Sequence, residues 1–267
     1  MDGISEELMA EINAAIDSIE QEETQEQLKE NSESALVKAN TVRFNSAEWF
    51  NTIQTLSVTI AGCGGIGSWT SLLMSRLNPN HIKLYDDDNI EEVNLAGQLF
   101  CTDLIGMSKV YGCSEIMSKF SNYYTYSCNK SRFTIDTYSI CPNLICGFDN
   151  MDARKAAFYL WYKQNKGNAN SIFIDGRLNA EDFQVFCITG DNDSAAYKYQ
   201  TQYLFDDSEV EEAVCSYKQT SFCASMIASL IVNLFVNYAA NMALGDFRCL
   251  PFKTSYDATT MLLKTEV

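Results

Sequence analysis

The chain has 267 residues, a formal net charge of −16, 46% hydrophobic and 20% charged content, and ten cysteines. That length can bury a substantial core in one large domain with an appendage or in two small domains, and the composition is that of a globular protein. The acidic balance, with no basic stripe, argues against a nucleic-acid-binding surface, which needs clustered Lys and Arg.

The first 40 residues hold eleven acidic side chains against Lys29 and Lys38, so more than half of the net charge falls here. Ile4, Leu8, Ile12, Ile16 and Ile19 recur at helical spacing with acids between them, and the pattern then fades into a polar, Glu- and Gln-rich run. This predicts an acidic helical segment over 1–42, packed on its own domain or a second copy, or acting as a docking arm. A domain over 43–267 follows.

The run Val58–Ser68, V-T-I-A-G-C-G-G-I-G-S, predicts a buried strand that turns into a helix reaching about Leu77. Gly62, Gly64 and Gly67 have the G-x-G-x-x-G spacing, and Gly65 doubles the central glycine. The first glycine permits the turn, the second lets backbone approach a phosphate, and the third allows close helix packing. Phosphate would then rest on the free N–H groups at the helix start. A second strand, His81–Tyr85, ends in Asp86, Asp87 and Asp88, and Asp86 stands where a carboxylate can accept ribose hydroxyls of NAD or ATP alike.

The continuation D-D-D-N-I-E-E-V-N-L-A-G-Q, followed by G-M-S-K, resembles the ThiF/MoeB/HesA adenylyltransferases, relatives of the ubiquitin-activating enzymes. Asp86, Asp88, Ile90, Asn94, Leu95, Gln98, Gly106 and Lys109 fit that pattern. The resemblance implies polar phosphate contacts from Asn94 and Gln98 and a catalytic cation at Lys109, where positive charge lowers the barrier to pyrophosphate departure. Gly97 departs from it, standing where the family has an arginine, at a loop position where glycine is free to hold φ > 0. Either another cation fills in, with Arg43 and Arg177 the expected candidates, or the protein binds nucleotide and adenylates slowly.

A helix to about Tyr123, a strand over Phe133–Tyr138 and the apolar run Asn143–Gly147 lead to F-D-N-M-D-A-R. Asp149, Asn150 and Arg154 match a second family element. Ligands of open parallel sheets lie beyond the carboxyl ends of the strands, so Asp149 is placed to hold the magnesium that bridges ATP phosphates, and Asn150 to line the same crevice. By resemblance Arg154 orients the loop without touching substrate. Ile172–Ile174 predicts a strand with a turn at Asp175–Arg177, then Phe183–Thr189 an antiparallel strand. In the family this region begins the surface for the C-terminal tail of a small protein or peptide.

Gly190–Glu212 is polar and tyrosine-rich and predicts a mobile loop. Cys215 lies where relatives with a thioester step carry the acceptor thiol, whereas Cys223 sits inside an apolar pattern and fits a buried inert thiol. The apolar stretch Ala224–Ala240 is interrupted by Ser225, Ser229, Asn233 and Asn237, which predicts a buried helix and no membrane span. Arg248–Val267 predicts one or two edge strands. No C-x-x-C pair occurs, so zinc is not expected, and scattered cysteines without a signal peptide predict reduced thiols in the cytoplasm.

These readings converge on an α/β Rossmann-like ATP-binding domain with a mainly parallel sheet continued by antiparallel strands. The resemblance implies an enzyme, a homodimer, that uses ATP and Mg2+ to activate the C-terminal carboxylate of a ubiquitin-like or sulfur-carrier protein or peptide as an acyl-adenylate. A scaffold of the same fold that binds nucleotide or tail is one rival. A dinucleotide oxidoreductase is the other, although it leaves Asn94–Gln98, Lys109 and Asp149–Asn150 without a role, and the single histidine, His81, precedes a strand.

Overall fold

A computed structural model describes residues 41–206, 219–244 and 247–267. The acidic segment 1–40, Cys215 and the rest of 207–218 lie outside the described residues. Eight strands form one sheet in the order β3-β2-β1-β4-β5-β6-β7-β8: β1 Ser57–Ala61, β2 His81–Tyr85, β3 Tyr126–Asn129, β4 Asn143–Cys146, β5 Ile172–Asn179, β6 Asp182–Thr189, β7 Lys253–Asp257 and β8 Leu262–Glu266. The first five run parallel, and β6 to β8 continue the sheet antiparallel.

Alternation along the strands assigns the two faces. Val58, Ile60, Ile82, Leu84, Ile172 and Ile174 point into one core, shared with Met74 of helix α2 (Gly65–Ser75), Met117 of α3 (Lys109–Ser121) and Ile227, Ile231 and Phe235 of α6 (Ser221–Leu244). Ala61, Tyr85, Leu144 and Phe173 point into the other, against Phe158 and Trp161 of α4 (Met151–Asn165) and Tyr199 of α5 (Asp193–Gln202). Helices on both faces are what a parallel sheet requires to bury itself. The short α1 (Glu48–Ile53) closes the first core through Ile53.

Helix α6 is long and apolar enough to cross a membrane by composition, yet just over half of its most apolar window is buried in the protein, with Ala224, Ile227, Ala228 and Ile231 fully so. It is the predicted core helix.

Three expectations are corrected. The strand after α3 is Tyr126–Asn129, paired in parallel with β2, and not Phe133–Tyr138. Phe133 mimics a strand residue because it is buried, but it is a loop anchor, with its ring 5.4 Å from Tyr85 and 5.7 Å from Phe148. Asp175–Arg177 is no turn: β5 runs on to Asn179, and the hairpin to β6 turns at Ala180, with φ +56°. Within Gly190–Glu212 the expected loop contains α5, whose N-cap Asn192 accepts a hydrogen bond from the Ala195 N–H at 3.0 Å.

Candidate nucleotide and carboxylate site

The glycine turn is built as its spacing demands. Gly62 has φ +88°, and a Cβ on Gly67 would stand 1.8 Å from the Gly62 carbonyl oxygen, so only glycine allows α2 to start this close to β1. Gly64 is the helix N-cap, and a Cβ there would meet only the Gln98 amide, 3.8 Å away. Its backbone is therefore open on the side of a cavity of about 710 Å³ at the carboxyl ends of the parallel strands.

Gly62, Gly64, Gly65, Asp86, Asp88 and Gln98 line this cavity, as do Lys109, Asp149, Asn150 and Arg154. The Asp86 carboxylate is fixed by two backbone donors, the Cys63 N–H at 2.7 Å and the Asp88 N–H at 2.9 Å. Burial raises its pKa above the ordinary carboxylate value, and the Cys63 N–H and Lys109 oppose that shift. Lys109 returns to the same corner because Gly106, at φ +87°, turns the chain and the Lys109 N–H bonds the Asp88 carbonyl at 3.0 Å. Its ammonium lies 2.6 Å from the Asp88 carboxylate. Burial works to lower the Lys109 pKa, but Asp88, Asp86 and Asp149 overcome it, and the net shift is upward. Lys109 is thus a charged, buried ammonium facing a cavity that would receive phosphates.

On the opposite wall Asn150 caps α4, its side chain accepting the Ala153 N–H at 2.9 Å. Arg154 bonds the carbonyls of Phe148 and Gly176 and the buried Asp175 carboxylate, so it holds the β4–α4 loop in place, as expected of an orienting residue. Asp149 is exposed and, among the described residues, takes one long bond from the Asn150 amide, 3.3 Å. A carboxylate this free of partners suits a hard cation, and Mg2+ takes one or two protein carboxylates together with phosphate oxygens. Asp86, Asp87 and Asp88 also bring carboxylate oxygens within 4.8 Å of one another.

Other expected residues stand elsewhere. Asn94 is not in the cavity wall. Its oxygen accepts the Glu91 N–H at 2.9 Å in a capping box that starts a 3-10 turn, which explains that asparagine locally. Gly67 lies behind the turn and not at its surface. Gly97 has φ −127° and ψ −22°, so the positive φ expected there is absent. The space beside it is taken instead: a Cβ would come within 2.7 Å of the Gln219 side chain, which would have to move. Arg177 bonds Asp175 at 2.7 Å and Tyr199 at 3.2 Å and covers the Phe186 ring, away from the cavity; Arg43 is not in its wall either. Cys223 is buried with its pKa raised by that burial, as an inert thiol should be.

Among the wall residues that were not anticipated are Arg132 and Gln219. Arg132 lies three residues beyond the end of β3, is exposed, and has no ion pair among the described residues. The rule that ligands sit beyond strand carboxyl ends finds it once β3 is placed correctly. A second cavity of about 620 Å³, lined by Phe183, Tyr203, Phe205, Tyr256, Leu262 and Lys264, adjoins the first at Leu178 and Asn179.

A sheet of this order with a glycine turn, strand-end carboxylates and a buried lysine around one cleft defines a Rossmann-like fold of the adenylyltransferase type. The ThiF family pattern matches residues 36–265, and the chain belongs to that family. It is similar to ubiquitin-like modifier-activating enzyme 5 of Oryza sativa subsp. japonica, 25% identical over 146 residues, which is 55% of this chain and 29% of that protein. The chain therefore aligns with under a third of that relative's length. Among solved structures, E. coli MccB with ATP superposes at a TM-score of 0.64 with 15% identity, covering 86% of this chain and 70% of that one. MccB is also known with AMPCPP and MccA. E. coli tRNA N6-threonylcarbamoyladenosine dehydratase, TcdA, superposes at 0.60 with 14% identity, covering 79% of this chain and 96% of that one. These structural likenesses carry the fold.

Proposed function

We propose that the protein is an ATP-dependent adenylyltransferase that activates the C-terminal carboxylate of a ubiquitin-like or sulfur-carrier protein or peptide. The observation that carries this reading is the convergence of Lys109 and Asp149 on the cavity of the glycine turn. Asp86 accepts the ribose hydroxyls, and the N–H groups at the start of α2 meet the phosphates. Lys109 stabilises charge as the substrate carboxylate attacks the α-phosphorus and pyrophosphate departs. Asp149 would hold Mg2+, which when bound neutralises phosphate charge. Alignment of the two reactants supplies much of the remaining rate. The adjoining cavity, lined by apolar side chains with Arg177 and Lys264 beside Asp182 and Asp257 and reached past Leu178 and Asn179, is suited to the tail that delivers the carboxylate. Capture by Cys215, a homodimeric state and a cytoplasmic setting belong to the same proposal.

Gly97 favours a second reading, a nucleotide- or tail-binding scaffold that adenylates slowly. The oxidoreductase alternative has less support, since His81 opens β2 at the end of the sheet away from the cleft and is bonded to Ser127 at 3.0 Å. Thermal shift with ATP and magnesium against NAD tests the nucleotide, because a ligand of the native state raises apparent stability by mass action. A larger shift with ATP is expected, and equal shifts would overturn the reading. ATP–pyrophosphate exchange in the presence of the tail substrate separates enzyme from scaffold.

A further inference from the structure

Position 97 is empty of side chain, but the space beside it is full. The Gln219 carboxamide occupies it: a Cβ on Gly97 would be 2.7 Å from Gln219 Cγ and 3.0 Å from its Nε2, and a Cβ on Gly65 would be 2.1 Å from its Oε1. Gly65 is the first residue of α2, so this amide lies over the helix start that faces the cavity, and Gln219 is part of the cavity wall. An isolated parallel bridge between Ala180 and Gln219, with the Thr220 hydroxyl donating to the Ala180 carbonyl at 3.3 Å, fixes its backbone to the β5–β6 hairpin. Among the described residues the amide itself has no hydrogen-bond partner.

A second carboxamide stands beside it. Gln98 is 8% exposed, it lies over Gly64, and its Oε1 is buried without a partner. A buried amide oxygen without a donor, such as Gln98 Oε1, is costly unless a ligand completes it, whereas the half-exposed Gln219 amide can be solvated. The two carboxamides over consecutive residues of one helix start point to a polar ligand there.

We propose that Gln219 is a phosphate-contacting residue of the cleft, seated there because positions 65 and 97 carry no side chain. The inference rests on the nucleotide reading above. An amide Nε2 can donate to a phosphate oxygen without adding charge, so Gln219 contributes affinity and position but not the electrostatic stabilisation a guanidinium would give.

Calorimetric titration of the full chain with ATP and magnesium, and separately with adenosine, tests this. Gln219→Ala is expected to weaken ATP about tenfold, the scale of one hydrogen bond to a charged group, and to change adenosine affinity less than twofold. Gln219→Glu, nearly isosteric, is expected to lose more, because a carboxylate repels phosphate. Gly97→Ala carries no backbone strain at φ −127° but displaces the amide, so it should reproduce the loss and add nothing to Gln219→Ala. Thermal unfolding checks that each variant is folded. Unchanged or tighter ATP binding in Gln219→Ala overturns the inference and leaves the nucleotide reading standing, and so does full additivity of the two alanines. A wild type that fails to bind ATP overturns both.

Discussion

The ammonium of Lys109 and the carboxylate of Asp88 lie 2.6 Å apart, and their exposures differ sharply: the Lys109 side chain is 10% exposed and the Asp88 side chain 65%. Removing the lysine strands no charge at Asp88, which is already solvated, although it also takes away the cation that steadies the more buried Asp86 carboxylate. The pair orients the ammonium toward the cleft and contributes little to the fold. Lys109→Ala is expected to lower pyrophosphate exchange about 10²–10³-fold, the usual loss for one electrostatic group, with a melting temperature close to wild type. Wild-type exchange in this variant would remove Lys109 from the mechanism.

Asp149 is expected to behave in the same way for a different reason. It is exposed and, among the described residues, bears one long hydrogen bond, so Asp149→Ala leaves the core intact and removes the proposed cation ligand. Its exchange rate should fall and should recover partly as magnesium is raised. A rate independent of magnesium in both proteins would separate Asp149 from the metal.

Asp175 gives the opposite case. It is fully buried, bonded to Arg154, Arg177 and the Tyr199 hydroxyl, and it stands behind the cleft wall. Asp175→Ala leaves two guanidinium groups without their counter-ion, and breaking a buried pair from one side costs about 3–5 kcal/mol. Chemical denaturation should show that loss directly, and a loss under about 1 kcal/mol would mean that the two arginines find other partners.

Asp86 links the site to pH. Its folded pKa is raised above the ordinary 3.8, first by burial. The folded state therefore holds this proton more tightly than the unfolded chain, and the ionised carboxylate costs stability that is recovered as pH falls through the raised pKa. Ribose recognition has the reverse sign, since only the carboxylate accepts both hydroxyls. Adenosine affinity is expected to fall on acidification through that raised pKa, while Asp86→Asn shows lower affinity and a flat profile. A wild-type affinity that stays constant as pH falls through the whole carboxylate range would dissociate Asp86 from the ribose.

Much of this was legible because the information was local. The glycine turn needs a left-handed residue at 62 and a missing Cβ at 67, and both needs are written as glycine. The G-x-x-K element works the same way, with Gly106 turning the chain so that Lys109 meets Asp88. What was illegible depends on packing between distant segments. Gln219 reaches Gly97 across more than a hundred residues, and no spacing rule encodes that contact. Strand β3, Y-S-C-N, is a half-exposed edge strand without an apolar pattern, whereas Phe133 imitates one. That single misplacement put Arg132 ahead of a strand, the end of the sheet away from the ligand, when it belongs beyond one.

Arg132 is the last prediction. With no side chain at position 97, the cleft needs another cation if exchange is fast. Arg177 is occupied by Asp175 and Tyr199, and Arg154 by Asp175 and two carbonyls. Arg132 lines the cavity, has no ion pair among the described residues, and is anchored by its buried neighbour Phe133 between Tyr85 and Phe148. Its guanidinium is free to take phosphate oxygens in a planar fork, which an ammonium cannot do. Arg132→Ala is expected to cut exchange as strongly as Lys109→Ala, Arg132→Lys to restore part of it, and Arg43→Ala to leave it unchanged. Because Arg132 is exposed, its loss should not move the melting temperature, which separates a charge effect from unfolding. Gly97→Arg would not rescue Arg132→Ala while Gln219 fills the space, but should do so when combined with Gln219→Ala. Wild-type exchange in Arg132→Ala would leave Lys109 as the working cation of the cleft, and slow exchange in the wild type itself would favour the scaffold.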